Sequence, residues 1–154
     1  MLHILALSAA LAAPTVDLPT LFADELERIG PKTGVPILLP ETMPDDFEEY
    51  FPTGSGRERR WGLEIGAAPN CGGATACFVA SFQGRRRGKP FGRVTLQLAR
   101  GRVGHFRPLS CGASCSPPSI EWRERGATYS IQAKVPGRRA LVRMANSAIR
   151  HGPR

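Results

Sequence analysis

Along this chain the apolar positions follow a helical period, then a period of two, then a helical period again. Leu18, Phe22, Leu26 and Ile29 recur at helical spacing, with Asp24, Glu25, Glu27 and Arg28 off that face. Asp17 supplies a capping acid, Pro19 an early proline and Gly30-Pro31 a stop, so the spacing predicts a helix over 17–29. Val35-Pro36-Ile37-Leu38-Leu39-Pro40 follows, an apolar run penned by prolines that suits an edge or bridging strand better than a sheet centre. The acidic, aromatic stretch from Pro44 to Tyr50 then leads into Thr53-Gly54-Ser55-Gly56, a loop signal.

From Arg59 onward the alternation predicts half-buried strands. Trp61, Leu63 and Ile65 alternate with Gly62 and Glu64; Phe78, Ala80 and Phe82 with Val79, Ser81 and Gln83; Val94, Leu96 and Leu98 with Thr95 and Gln97. A weaker pattern runs from Arg102 to Arg107, then Ile120 and Trp122 alternate with Glu121 and Arg123, and Tyr129, Ile131, Ala133 and Val135 with Ser130, Gln132 and Lys134. Trp61, Trp122 and Tyr129 share the parity of the aliphatic positions and so belong to the core rather than to an exposed pocket. Past Pro136-Gly137, Leu141, Met144, Ala145, Ala148 and Ile149 form one stripe of an amphipathic helix. Short connections favour an α+β fold: an antiparallel meander sheet of about six strands, with an N-terminal and a C-terminal helix packed on it.

Met1 to Ala13 contains no Asp, Glu, Lys or Arg, and its apolar run ends in small residues. Ala10-Leu11-Ala12 fits a small-x-small cleavage site, which predicts a signal peptide over 1–12 and a single domain over 13–154, located in the periplasm or secreted. The n-region offers only His3 and the terminal amine. No other stretch approaches the ~18 apolar residues of a membrane span.

Charge changes this picture more than composition does. The 154 residues carry a formal charge of +8, split into 2 basic and 9 acidic side chains over 1–56 and 19 basic and 4 acidic over 57–154. Arginine, 18 of the 21 basic residues, suits phosphate and carboxylate recognition, although an Arg-, Gly-, Ala- and Pro-rich composition is also what a GC-rich genome encodes by default.

The four cysteines fall in two close pairs, Cys71 and Cys77 in CGGATAC and Cys111 and Cys115 in CGASC. An exported chain would oxidise them. Local pairing, 71–77 and 111–115, is worth about 2 kcal/mol per bridge and crossed pairing nearer ~4, so energy alone does not choose; placement between strands favours the local arrangement. A zinc site is disfavoured because the first pair has five intervening residues, and the redox signature CxxC is absent.

Arg85-Arg86-Arg87-Gly88-Lys89 is the densest cationic cluster and falls where two strands should turn. Arg85, Arg86, Arg87 and Lys89 are therefore the anion-binding candidates, set against the plain reading of a solvated hairpin tip. Arg93, Arg107 and Arg123, outward on their strands, extend a basic stripe if the register aligns them. No catalytic residue, metal site or cofactor is predicted: GxSxG, HExxH and dinucleotide or phosphate-loop fingerprints are absent. His105 paired with a carboxylate is the one acid–base arrangement on offer, and His151 lies close to the end of the sequence. Recognition-helix and zinc-finger patterns for nucleic acid are absent as well.

Together, the Val35–Pro40 segment, the CGGATAC and CGASC motifs, Glu121-Trp122, Gly126 with Tyr129, and the closing ANSAI of Ala145–Ile149 resemble small exported bacterial proteins of uncharacterised function. That resemblance implies an envelope location and no mechanism. The expectation is a non-enzymatic, disulfide-stabilised exported domain binding an anionic envelope polymer or protein. The alternatives are a small extracytoplasmic hydrolase or transferase using His105, and an intracellular RNA-associated basic protein.

Overall fold

The computed structural model describes residues 12–135 and 137–154; Met1 to Leu11, and with them most of the expected signal peptide, lie outside the described residues. A small ribbon of β1 (Thr15–Asp17) and β2 (Thr42–Pro44) brackets two short helices, α1 (Leu18–Leu21) and α2 (Ala23–Ile29). The main sheet is built from β3 (Phe51–Arg57), β4 (Arg60–Gly66), β5 (Phe78–Arg86), β6 (Val94–Gln97), β7 (Val103–Arg107), β10 (Ser119–Glu124) and β11 (Ala127–Ala133). A separate two-stranded hairpin, β8 (Ser110–Cys111) and β9 (Cys115–Ser116), interrupts it, and α3 (Gly137–His151) follows. Among the described residues no helix is long and apolar enough to cross a membrane.

The architecture is α+β, but the N-terminal helix is smaller than its spacing predicts. Asp17 caps α1 by accepting from Thr20 N at 2.9 Å. The helix breaks at Phe22 (φ −97°, ψ 14°), whose fully buried ring meets Phe82 edge-on at 6.0 Å. Anchoring that ring in the core overrides local propensity, and a 3₁₀ turn at Gly30–Lys32 ends the region.

The expected single meander of six strands is corrected to a seven-stranded sheet made of two antiparallel meanders. Strand order is β3-β4-β5-β11-β10-β7-β6, so β5 pairs with β11 rather than with β6. The β5–β11 ladder runs seven residues, from Ala127↔Arg86 to Ala133↔Ala80, whereas β6 has four, with Val94, Thr95 and Gln97 exposed. A short, half-polar strand suits an edge and not the buried sheet centre.

Thr53–Gly56, expected as a loop, lies within β3. Its glycines serve close approach rather than turning: a Cβ on Gly54 would sit 3.0 Å from Leu63 Cδ2, and one on Gly56 would sit 3.0 Å from Ile29 Cβ. They let α2 lie directly on the strand. The Val35–Pro40 segment is also corrected. It joins no ladder and runs as buried irregular chain, with Val35, Ile37, Leu38 and Leu39 at most 4% exposed. Its backbone polar groups find partners from the side: Trp61 Nε1 and Tyr129 Oη both donate to the Pro36 carbonyl, at 3.1 and 3.0 Å, and Arg154 N donates to Ile37 O at 3.0 Å.

This segment and α3 cover the inner sheet face. Register aligns Trp61, Gly84, Tyr129, Trp122 and Gly104 in one row across five strands, with a glycine beside Trp61 and another beside Trp122. Tyr129 stacks on Trp122 with ring centroids 5.6 Å apart. Leu141, Met144, Ala145, Ala148 and Ile149 of α3 are all buried, closing the core as their stripe predicts.

Candidate functional site

The chain pairs Cys71 with Cys77 and Cys111 with Cys115. The first bridge closes the loop between β4 and β5, where Lys134 Nζ donates to Thr75 O at 2.5 Å. The second joins directly opposed residues of the β8–β9 hairpin. Both fit an oxidising environment. Among the described residues no three metal-binding side chains gather into a cluster.

The cationic candidates do not form a hairpin tip, because β5 and β6 are not partners. Arg85 and Arg86, consecutive on β5, point to opposite faces. Arg86 donates to the Gly34 carbonyl at 2.7 Å, while Arg85 lies over the Phe91 ring at 5.3 Å and reaches Glu121 at 3.5 Å. Arg87 turns the chain at φ 67° and is exposed, as is Lys89. Beyond them the connection to β6 crosses the outer sheet face. It is tied down by Thr128 Oγ1 donating to Gly88 O at 3.0 Å and by Phe91 N donating to Glu121 Oε2 at 2.6 Å.

Most of that outer face is polar, and register orders it into three rows. One row holds Thr53, Glu64, Ser81, Gln132, Ser119 and Arg107. The next holds Ser55, Gly62, Gln83, Ser130, Glu121 and His105. The third holds Arg57, Arg60, Arg85, Thr128 and Arg123. Two adjoining depressions of about 230 and 160 Å³ are sunk into the first two rows and share Ser81 and Gln83 on their floor, forming one groove along the face. Phe91, 66% exposed, overhangs the smaller one.

Arg57 lies opposite Arg60, and Arg60 opposite Arg85, on successive strands. Among the described residues no ion pair engages Arg57, Arg60 or Arg123, whereas Arg85 has Glu121. Arg123 joins the row as an outward strand residue. Arg57 and Arg60 flank a turn and are invisible as a site until register sets them beside Arg85. Arg107 sits at the far end of the face with its guanidinium 5.8 Å from the Phe91 centroid.

His105 stands opposite Glu121 on the neighbouring strand. Yet the Glu121 oxygens are held by Phe91 N and Arg85, and the backbone of Gly92 presses on the His105 carbonyl, where a Cβ would come within 2.5 Å of the carbonyl carbon. Among the described residues His105 shares no hydrogen bond or ion pair with a carboxylate. His151 ends α3 beside Glu41 at 3.5 Å.

Comparison with family models, with curated proteins and with solved structures finds no match for this chain.

Proposed function

We propose that the protein is an exported, disulfide-stabilised binding domain whose outer sheet face holds an anionic polymer or protein of the cell envelope. The carrying observation is the row Arg57, Arg60, Arg85, with Arg123 two strands further on. Like charges directly opposite one another on a sheet destabilise it by a few tenths to about 1 kcal/mol per pair. An anion laid along the row removes that cost and gains charge-assisted hydrogen bonds from planar guanidinium forks. The apolar leader and the two local disulfides support export.

Retention on an immobilised polyanion tests the reading, provided that general basicity is controlled. A triple Arg57/Arg60/Arg123→Gln variant is expected to elute at clearly lower salt than an Arg138/Arg139/Arg143→Gln variant, which loses the same charge from α3. Equal elution of the two variants, or no retention of the parent at low salt, overturns the proposal. Amino-terminal sequencing of the protein from fractionated cells checks export, with Ala13 expected as the first residue.

A further inference from the structure

The groove beside the arginine row differs from a simple polyanion track. Its floor carries hydroxyls and amides (Ser55, Ser81, Gln83, Ser130, Gln132) and a carboxylate, Glu64, for which no ion pair exists among the described residues. A naked polyphosphate has only acceptor oxygens and gains nothing from Glu64, which repels it. A chain bearing both hydroxyl donors and anionic groups uses both halves of the face: hydroxyls donate to Glu64 and to the side-chain oxygens, and acidic groups meet the arginines. Exposed Phe91 adds an apolar surface beside two guanidiniums, at 5.3 and 5.8 Å from its centroid. That combination suits the apolar face of a sugar ring that carries a carboxylate. The backbones of adjacent arginines stand one strand spacing apart, about 4.8 Å, comparable to one sugar residue of an extended chain.

We infer that the ligand of this face is an acidic polysaccharide, lying across the strands with its rings over the Ser81–Gln83 floor and its acidic groups along Arg57, Arg60 and Arg85. This rests on the anion-binding reading of the same face and narrows it to a chemical class.

Binding of polygalacturonate, long-chain polyphosphate and neutral dextran, compared at matched ionic strength with the oxidised protein, tests the inference. Polygalacturonate is expected to bind and dextran not to bind. Phe91→Ala, at an exposed position, is expected to weaken polygalacturonate about tenfold and to leave polyphosphate unchanged. Glu64→Ala is expected to weaken polygalacturonate and to strengthen polyphosphate, an opposition of sign that misfolding cannot produce. If polyphosphate binds as well as or better than polygalacturonate, or if neither variant alters polygalacturonate binding, the acidic-glycan inference is overturned while the anion-binding reading stands. If neither anionic polymer binds at low salt, both fall.

Discussion

Gly84 lies against the indole of Trp61, its cross-strand partner, so closely that a Cβ there would fall 2.4 Å from Nε1 and 2.7 Å from Cε2. The glycine is a socket for the ring, and the ring is fixed at that same edge by Nε1 donating to Pro36 O. Gly84→Ala is therefore expected to cost about 3 kcal/mol, the upper range for overpacking a core. Urea unfolding followed by tryptophan fluorescence measures it; a loss below ~1 kcal/mol would show that the indole repacks freely.

Glu121, 8% exposed, holds the crossover connection through Phe91 N and Arg85. Glu121→Ala leaves a donor without its partner and is expected to destabilise by about 1–3 kcal/mol. It also loosens the segment, so limited trypsin digestion should cut after Arg87 faster than in the parent. Unchanged cleavage would assign the anchoring to the Thr128–Gly88 and Arg85–Lys89 contacts.

Arg125 and Gly126 form the two-residue turn between β10 and β11, with φ 52° and 72°. Positive φ at both positions favours Asn-Gly. Arg125→Asn is expected to raise stability by about 0.5–1 kcal/mol, the 3.9 Å contact to Glu124 being exposed on the arginine side and weak. Denaturant midpoints of the two proteins decide this.

The two tyrosines make the fold sensitive to alkali. Burial, with a smaller push from Glu124, raises the Tyr129 phenol to about 12. Tyr50 is raised by burial and by its hydrogen bond to Asp45, at 2.6 Å. The unfolded chain releases these protons near pH ~10, whereas the folded chain retains them. Stability thus falls as pH rises from about 10 to about 12, by at most ~1.4 kcal/mol per pH unit for Tyr129, and is untouched below that window. Tyr129→Phe should flatten the decline in a series of urea titrations, and an unchanged slope would assign it elsewhere.

Alternation made the β4, β5, β10 and β11 segments legible, since one apolar and one polar face leave a period-two imprint on each strand. Partner choice left no such imprint. Whether β5 meets β6 or β11 depends on which strand complements it over the greater length, and that choice decides where Arg85 to Lys89 go. The arginine row escaped for the same reason. Arg57 directly follows the glycine-rich Thr53–Gly56 stretch, which looks like a loop, and only the β4–β5 register brings it and Arg60 level with Arg85. The Val35–Pro40 chain needs no strand partner for its Pro36 and Ile37 carbonyls, which Trp61, Tyr129 and Arg154, all distant in sequence, satisfy.

The sheet's division into two meanders also sets an order of events. β3-β4-β5 and β6-β7-β10-β11 each form through neighbouring connections, while the β5–β11 ladder joins residues about forty to fifty positions apart and bears the greater loop-closure entropy. The groove floor straddles that seam, Ser81 and Gln83 coming from one half and Gln132 and Ser130 from the other. The proposed binding face is therefore completed at the last stage of folding. A chain that has formed its local hairpins and both disulfides, but not this ladder, carries the arginines without the surface that organises them.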